Sequence, residues 1–567
     1  MEVTVEHGVK VPMRDGVVLR ADIYRPKQEG KFPVLLQRTP YNKAGGLDFG
    51  MHAAETGYVA IVQDVRGRYT SEGEWYPFKW ESQDGFDTVE WAAALPYSNG
   101  KVGMWGGSYV GATQMLAAIA HPPHLAGICP VVTASNYHSN WTYQGGAFEQ
   151  WFNESWTSGL AQDTLNRKIS TETNAMNGAW KLPLSEYPLF NVGNAGSSGH
   201  RVDSPGELAP YFLDWLAHPS YDDYWKRWSI EDHFSDVQVP ALHVAAWYDI
   251  FQGGSLRNYE GLREHAGNEA ARRGQRLLVI IGGHAGGGRQ IGDVDFGAAA
   301  DFDEDQVTLE WYEFLFKGVQ NAFAKKPVRI FVMGANEWRD EDDWPLKRAK
   351  AVKYSLVSTK GANSLRGDGM LLDQAAGTSK ESDEFVYDPA NPVPTTGGPL
   401  CCDAGHLPAG PRDQRAVEAR DDVLVYSTPL LEHDVEVTGQ VTLNFWVKSS
   451  AVDTDFTAKL VDVWPNGFAQ NLTEGIVRAR YRDSQEKPEL LNPGEPYRLS
   501  IDLWSTSNVF KKGHKIRLEI SSSNFPRFDR NLNTGESGQF GTRTAKATNT
   551  VLHEAEHKSV LVLPVVE

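Results

Sequence analysis

Short apolar runs alternate with a helical pattern over the first 134 residues of the chain. The runs at 33–36, 58–62 and 127–132 have the length of buried strands, and the segment 82–95 has the spacing of a helix. Strands that alternate with helices pair as parallel neighbours, because the helices supply the crossover connections. The pattern therefore predicts a parallel or mixed sheet with helices on both faces.

The pattern changes between residues 135 and 235, where the strand rhythm disappears and large aromatic residues stand among helix-like segments. These aromatic residues include Trp141, Trp151, Phe152, Trp156, Trp180, Trp215, Trp225 and Trp228. Apolar strand runs return at 240–246 and 276–281. We therefore predict a discontinuous α/β domain, formed by residues 1–134 and 236–345, with a helical cap inserted at 135–235.

Helical periodicity nearly vanishes after residue 345. Short alternating runs, of which 435–447 and 515–520 are the clearest, are separated there by glycine, proline, asparagine and aspartate. Alternation with a period of two is typical of strands that bury one face. Residues 346–567 are therefore expected to form an all-β, jelly-roll-like sandwich.

Length and charge limit the class of protein. A chain of 567 residues is too long for a single core, which agrees with several domains. The formal charge of −18 disfavours nucleic acid and anionic membranes as partners, because both would repel the chain. The N-terminus has no basic segment followed by an apolar one, and no run of about 18 apolar residues occurs, so we expect a cytoplasmic protein. The oligomeric state stays open, with a homodimer as one candidate.

The cysteines and acidic segments give no sign of a metal. Cys401 and Cys402 are adjacent, which is not a metal-ligand spacing, and Cys129 stands apart from them. Free and mostly packed thiols are the expectation. The acidic segment 301–305 lacks the glycine and the closing glutamate of a calcium loop, so it is interpreted as a solvated stretch. We expect neither a metal nor a cofactor.

The segment around Ser108 has the features of a nucleophile elbow. It runs Gly106-Gly107-Ser108-Tyr109-Val110-Gly111, with an apolar run at 101–105 before it and an alanine-rich stretch at 112–120 after it. Small residues are needed there because the strand-to-helix turn is sharp, and the helix that follows directs its N-terminus at the serine. The second glycine is one position late for the usual pattern, and an ordinary loop explains this segment alone equally well.

Two later strand runs lead into an acid and a histidine. Asp249 follows the run that ends at Ala246, and His284 follows the run that ends at Ile281. Catalytic groups of open α/β sheets gather at the carboxyl ends of the strands. Either residue alone is more often structural, but the order Ser108, Asp249, His284 is that of the α/β-hydrolase triad. In such a triad the histidine takes the serine proton and the acid fixes the imidazole tautomer.

Motifs along nearly the whole chain carry a family resemblance. They are the elbow, Val11-Pro12-Met13-Arg14-Asp15-Gly16-Val17, Arg38-Thr39-Pro40-Tyr41-Asn42-Lys43, Gln63-Asp64-Val65-Arg66-Gly67, Ser71-Glu72-Gly73, Phe331-Val332-Met333-Gly334, Trp338-Arg339-Asp340, Asp453-Thr454-Asp455-Phe456-Thr457-Ala458-Lys459-Leu460 and Ser522-Ser523-Asn524-Phe525-Pro526. With them the chain resembles the cocaine esterase branch of the α/β-hydrolases. The wider family includes Xaa-Pro dipeptidyl-peptidases, α-amino-acid ester hydrolases and some glutaryl-cephalosporin acylases.

The resemblance implies the α/β-hydrolase fold and a set of catalytic roles. Ser108 would be the nucleophile, His284 the general base and Asp249 the orienting carboxylate. The hydroxyl of Tyr41 and the main-chain N–H of Tyr109 would form the oxyanion hole. The order of the triad residues agrees with the first three roles, whereas the role of Tyr41 comes from the resemblance alone.

The resemblance also places Trp141, Trp156 and Phe251 in the wall of an acyl pocket. Aromatic residues at all three positions suit a flat or bulky acyl group such as benzoyl, although the two tryptophans alone would equally suit helix packing. The family has larger apolar side chains where this chain has Cys401-Cys402, which implies a roomier pocket. It also has a Pro-Trp stretch before the histidine, where this chain has Gly282-Gly283, so we expect a shorter and more mobile histidine loop.

The expected function is that of a serine carboxylesterase acting on a small-molecule ester through an acyl-enzyme. Two alternatives lie within the family: an amide-cleaving acylase and an Xaa-Pro dipeptidyl-peptidase-like peptidase. The dipeptidyl-peptidases of the family are longer than this chain and carry an extra N-terminal domain. The α-amino-acid ester hydrolases use carboxylates after the catalytic acid, whereas Ile250-Phe251-Gln252 stands here. A catalytically silent binding protein is the alternative of another class, and its usual mark, a lost triad residue, is absent from this sequence.

Overall fold

A mixed sheet forms the centre of the molecule. The structure is a computed structural model of the chain, and it describes residues 1–166, 172–173, 179–180, 182–186, 190–191, 205–373, 381–536 and 538–567. The strands run in the spatial order β1-β2-β4-β3-β5-β6-β7-β8-β9-β10. They are β1 (Val3–Pro12), β2 (Val18–Pro26), β3 (Phe32–Thr39), β4 (Val59–Asp64), β5 (Ser98–Gly107), β6 (Leu125–Val131), β7 (Leu242–Tyr248), β8 (Arg276–Gly283), β9 (Val328–Val332) and β10 (Glu337–Glu341).

The strands from β4 to β9 in this order pair in parallel, and antiparallel strands flank them. Neighbouring residues of β3 alternate between the two faces: Leu36 packs into one core cluster and Leu35 into another. Helical residues cover both clusters, for example Leu116 on one face and Trp311 on the other. The predicted sheet with helices on both faces is confirmed.

The helices that pack around this sheet follow its strands along the chain. They are α1 (Leu47–Glu55), α2 (Glu81–Ala93) and α3 (Tyr109–Ile119), followed after β7 by α8 (Gln252–His265) and α9 (Glu269–Arg273), and after β8 by α10 (Glu304–Lys317) and α11 (Ala322–Lys325). The helix predicted at 82–95 corresponds to α2. Two-residue strands at Gly286–Gly287, Gln290–Ile291 and Val294–Asp295 follow β8.

The long connection between β6 and β7 is the helical insertion that the aromatic segment predicts. Its described elements are the short strands Tyr143–Gln144 and Ala147–Phe148, and the helices α4 (Gln150–Asn166), α5 (Pro205–Leu208), α6 (Pro210–Ala217) and α7 (Asp223–Lys226). A further pair of short strands, Glu172–Thr173 and Phe190–Asn191, belongs to it. Much of the predicted cap between 167 and 204 lies outside the described residues.

The remaining chain folds as a β-sandwich with one short helix, α12 (Arg415–Glu418). Its strands are β11 (Lys350–Val357), β12 (Met370–Leu372), β13 (Ser382–Tyr387), β14 (Leu424–Ser427), β15 (Val435–Ser449), β16 (Asp455–Val463), β17 (Ala469–Arg478), β18 (Tyr497–Phe510), β19 (Lys515–Ser521), β20 (Ala547–Leu552) and β21 (Val560–Val566). Alternate residues of β15, such as Leu443 and Phe445, are buried, as the period-two pattern predicts. Among the described helices, none has the length and apolar character needed to cross a membrane.

Candidate active site

Ser108 lies at the sharp turn between β5 and α3. Its backbone has φ 63° and ψ −129°, a conformation that an L-residue adopts only at a cost. A Cβ on Gly106 would lie 2.5 Å from a methyl group of Val110, and one on Gly111 would lie 2.7 Å from Cβ of Thr133. The late glycine of the motif is therefore required by the close approach of α3 to the residues after β6.

Asp249 and His284 meet Ser108 at the carboxyl edge of the sheet. His284 Nε2 lies 2.8 Å from Ser108 Oγ, and His284 Nδ1 lies 2.7 Å from Asp249 Oδ1. Asp249 is fully buried, and its second oxygen accepts the main-chain N–H of Phe251 at 2.9 Å. With the proton on Nδ1, the ring donates to the carboxylate and accepts from the serine hydroxyl, which is the arrangement that general-base activation needs.

The Tyr41 hydroxyl points into this site. Trp156 Nε1 donates a hydrogen bond to it at 2.9 Å. The Ser108 hydroxyl and the Tyr109 main-chain N–H are near enough to this hydroxyl for each to lower the pKa of Tyr41. Burial of the hydroxyl raises the pKa of Tyr41, although 39% of the whole residue is exposed, so the group is protonated at neutral pH and can donate. The structure thus brings together the two expected oxyanion-hole donors.

A buried polar chain anchors Tyr109, and sequence reasoning missed it. The Tyr109 hydroxyl donates to Glu81 Oε1 at 3.0 Å and accepts the Phe78 N–H at 2.7 Å. Glu81 in turn pairs with Arg38 at 2.8 Å, and both side chains are buried. Burial raises the pKa of Glu81, while the Arg38 charge opposes that rise. Arg38 stands in a family motif, but no local pattern signals that Glu81 faces inward.

The three aromatic residues of the expected acyl pocket lie beside the triad. The rings of Trp141 and Phe251 stack with centroids 4.4 Å apart, and Trp156 meets Trp141 edge-on at 5.6 Å. Phe251 contacts the His284 ring at 5.1 Å. Phe152 and Trp215 join the same aromatic cluster, although neither was predicted as a site residue. The structure therefore brings the three predicted residues together, with Phe251 next to His284.

The prediction of free thiols is wrong for two of the three cysteines. Cys401 and Cys402 form a disulfide, whereas Cys129 is free and buried as expected. Predictions from cysteine spacing consider disulfides between residues that are distant in sequence, so they miss a disulfide between adjacent residues. The Cα atoms of Cys401 and Cys402 are 3.7 Å apart. Cys401 packs into the apolar cluster that contains Trp141 and Phe251, and Cys402 is exposed.

The fold and the serine, aspartate and histidine define a serine hydrolase of the α/β-hydrolase class. Over 580 aligned residues the chain is 38% identical to a cocaine esterase of Rhodococcus sp. (strain MB1 Bresler), and the match covers 100% of this chain and 99% of the relative. The chain belongs to the cocaine esterase family, whose members are serine ester hydrolases. The predicted family and enzyme class are confirmed.

Two family profiles divide the chain in the same way as the fold. Residues 15–286 match the X-Pro dipeptidyl-peptidase (S15 family), and residues 321–562 match the X-Pro dipeptidyl-peptidase C-terminal non-catalytic domain. The expected combination of a hydrolase domain and a C-terminal β-sandwich is thereby confirmed.

Two solved structures share the complete architecture. An aminopeptidase from the marine sediment archaeon Thaumarchaeota archaeon superposes with a TM-score of 0.85 at 25% identity, covering 100% of this chain and 97% of that one. An α-amino acid ester hydrolase superposes with a TM-score of 0.81 at 25% identity, covering 99% and 96%. This fold therefore serves both peptide and ester substrates in the named proteins.

Proposed function

We propose that Ser108, His284 and Asp249 hydrolyse carboxylic esters through an acyl-enzyme. The observation that carries the proposal is the pair of hydrogen bonds at 2.8 Å and 2.7 Å on either side of the His284 ring. His284 takes the Ser108 proton as Oγ attacks the ester carbonyl, and returns it to the departing alcohol. Water then attacks the acyl-enzyme with the same histidine as base, which releases the acid and restores the serine.

The developing oxyanion is assigned to the Tyr41 hydroxyl and the Tyr109 N–H. Both donors converge next to Ser108, and the first turn of α3 adds the positive end of a helix dipole. The Trp156 indole N–H donates a hydrogen bond to the Tyr41 oxygen. The Tyr41 O–H is therefore available to donate to the substrate oxyanion. Loss of one such donor costs about 3 to 4 kcal/mol of transition-state stabilisation.

A neutral, bulky or aromatic acyl group fits the residues around the triad best. Trp141, Trp156 and Phe251 present aromatic rings against His284 and Tyr109. The position that could carry a carboxylate for a substrate ammonium is Gln252, and its side-chain amide pairs with both main-chain groups of Ser505 in the sandwich. Gln252 is therefore engaged in domain packing.

Amide cleavage is the second candidate function. The match to the X-Pro dipeptidyl-peptidase profile supports it, because the same three residues can attack an ester or an amide carbonyl. A catalytically silent binding protein is disfavoured, since the three residues are present and hydrogen-bonded to one another.

A panel of chromogenic substrates that vary only in the acyl group tests these assignments. Benzoyl and phenylacetyl esters of 4-nitrophenol should have higher kcat/KM values than the acetyl ester, and all should exceed the matching anilides. Cocaine, which names the relative, belongs in the same panel. Trp141→Ala should weaken the preference for aromatic acyl groups, with exposed Trp180→Ala as the matched control. A preference for acetyl esters in the unaltered enzyme would contradict the pocket assignment.

The domain limits and the setting of the enzyme also belong to the proposal. We assign residues 1–134 and 236–345 to the catalytic domain, 135–235 to the cap and 346–567 to a jelly-roll sandwich. The helices between β6 and β7 and the strand pattern after β10 support these limits. A cytoplasmic location and a homodimer remain predictions from the sequence.

A further inference from the structure

Basic side chains line one open cleft at the amino edge of the central sheet. The cleft has a volume of about 550 Å³, and the basic residues around it are Arg263, Arg272, Arg273, Arg276, Lys325 and Lys326. Glu269 is the acidic residue of its lining. The chain as a whole carries a formal charge of −18, so this local excess of positive charge runs against its composition.

The neighbouring carboxylates balance only part of this charge. Glu269 pairs with Arg273 at 2.5 Å, Asp343 lies 3.4 Å from Arg263, and Asp342 pairs with Lys326. In the part of the chain that the structure describes, Arg272, Arg276 and Lys325 have no carboxylate oxygen within 4.0 Å. Three cations around the cleft therefore lack a counter-charge among the described residues.

Arg276 is held in a fixed orientation without an acidic partner. Its Nε donates to the Phe323 carbonyl at 2.8 Å, and its Nη1 donates to the carbonyls of Arg273 and Gln275 at 3.0 and 2.9 Å. Burial lowers the pKa of Arg276, and the charge of Arg263 lowers it further. Such a guanidinium stays charged, and ordering it in advance reduces the entropy that an incoming anion must overcome.

We propose that this cleft binds the phosphate groups of a small oligophosphate, with Arg272, Arg276 and Lys325 as its counter-charges. Main-chain carbonyls occupy Nε and Nη1 of Arg276, so its Nη2 is the nitrogen left to donate to a phosphate oxygen, and Arg272 and Lys325 add positive charge beside it. A free oligophosphate and the phosphate chain of a nucleotide share this chemistry. The negative charge of the remaining protein excludes long nucleic acids from the same role.

The cleft and the catalytic site lie at opposite ends of one strand. β8 begins at Arg276 in the cleft, and His284 directly follows its last residue, Gly283. At roughly 3.3 Å per residue this separates the two sites by about 25 Å. A bound oligophosphate therefore leaves the ester site open, and inhibition by it should not be competitive with the ester.

Calorimetric titration of the full-length enzyme with inorganic pyrophosphate at low ionic strength tests the proposal. The unaltered enzyme should bind one pyrophosphate per chain, more tightly than orthophosphate, with affinity falling as salt rises. Arg276→Gln and Lys325→Gln should each weaken binding at least tenfold. Lys325 is exposed, so its variant keeps the fold, and its ester turnover should be unchanged. Arg366→Gln, which alters an exposed arginine on the sandwich, is the matched control and should bind normally.

The comparison with a nucleoside triphosphate distinguishes the two sources of phosphate. Equal affinity for pyrophosphate and the nucleotide means that the phosphates alone are recognised. Tighter nucleotide binding means that the base contributes as well. Both outcomes support phosphate binding in the cleft. Absence of pyrophosphate binding at low salt would overturn the proposal. So would equal affinity in Lys325→Gln and Arg366→Gln, or binding of an acidic peptide in place of pyrophosphate.

Discussion

At the scale of single residues, hydrogen bonds within the site determine which remaining atoms of His284 and Tyr41 can donate and which can accept. Asp249 accepts a hydrogen bond from His284 Nδ1, so Nε2 is left to accept from the Ser108 hydroxyl. The Trp156 indole N–H donates to the Tyr41 oxygen, so the Tyr41 O–H is left to donate to another group. Fixing donors and acceptors before the substrate arrives lowers the reorganisation needed in the transition state.

Asp249→Asn should leave the protein folded but reduce turnover by roughly ten-thousand-fold, because an amide stabilises the wrong imidazole tautomer. Steady-state hydrolysis of an activated ester measures the loss, and circular dichroism checks the fold. The exposed Asp301→Asn is the control and should retain full activity. A loss below tenfold in Asp249→Asn would show that another acid orients the histidine.

Trp156→Phe should lower kcat three- to tenfold with a smaller change in KM, since it removes one hydrogen bond worth roughly 0.5 to 1.5 kcal/mol and keeps an aromatic ring. Tyr41→Phe should cost more, roughly a hundredfold or greater, because it removes the donor itself. Trp151→Phe on the same helix is the matched control, since its buried indole N–H has no hydrogen-bond partner in the described structure. Equal losses in the two tryptophan variants would contradict the positioning role of Trp156.

At the scale of elements, the loop that carries Cys401 connects the sandwich to the active site. Cys401 belongs to the apolar cluster that also contains Trp141 and Phe251. Further along the same segment, the Asp293 main-chain N–H donates to the Pro411 carbonyl at 2.9 Å, and a Cβ on Gly292 would lie 2.2 Å from that carbonyl oxygen. The disulfide limits the freedom of this loop, while exposed Cys402 gives a thiol access to the bond.

Reduction with a dithiol should convert the disulfide into two thiols and loosen that wall of the acyl pocket. We expect kcat/KM for the benzoyl ester to change several-fold while that for the acetyl ester changes little. Counting reactive thiols in the native protein checks the reduction, and the Cys401→Ala/Cys402→Ala variant controls for effects of the reductant. An unchanged benzoyl-to-acetyl ratio after confirmed reduction would contradict the link between this loop and acyl selectivity.

The elements that could be predicted from the sequence are those whose pattern is local. The elbow strand, its turn and α3 follow one another within a few residues of Ser108, and Asp249 and His284 directly follow apolar runs. The contacts that could not be predicted join distant segments. Glu81 accepts a hydrogen bond from Tyr109, and Cys401 joins the apolar cluster that contains Trp141, because of tertiary packing that no local periodicity encodes.

At the scale of the whole molecule, the sandwich shares an apolar core with the strand that leads to Asp249. Trp247 and Tyr248 at the end of β7 belong to the same apolar cluster as Leu443 and Phe445 of the sandwich, and the Tyr248 hydroxyl donates to the Asn471 carbonyl at 2.8 Å. Asp249, the proposed catalytic acid, therefore follows two residues that pack against the sandwich. Removing the sandwich would expose this cluster, so the two domains should unfold together.

Arg527 links the cap to the sandwich through buried carboxylates. Its guanidinium lies 2.6 Å from Glu474 and 3.2 Å from Glu149, which directly precedes α4, and the arginine is fully buried. Arg527→Met should lower the free energy of unfolding by roughly 3 to 5 kcal/mol, because it removes the buried cation next to Glu149 and leaves Glu474 with only the Asn524 amide at 2.8 Å and Lys459 at 4.0 Å. Urea denaturation measures the loss. Arg543→Met, at an exposed pair with Glu536, should cost at most about 1 kcal/mol.

The Arg527→Met loss should depend on pH. Burial raises the pKa of Glu149 to about 7 even with Arg527 opposing it, so removing the arginine favours the protonated acid further. A carboxyl whose pKa is raised in the folded state stabilises that state when protonated, and this contribution falls as the pH rises through its folded pKa. The deficit should therefore be larger at pH 8 than at pH 5, and a deficit independent of pH would contradict the account of Glu149.

Labelling with a fluorophosphonate, followed by peptide mass spectrometry, is the most direct test of whether Ser108 is the activated nucleophile. The probe reacts covalently with a serine only when a neighbouring base activates it, so it reports on Ser108 without a known substrate. We expect the unaltered enzyme to carry one label per chain on the peptide containing Ser108, and Ser108→Ala to carry none. Absence of label on the unaltered enzyme, or equal labelling of Ser108→Ala, would contradict that expectation.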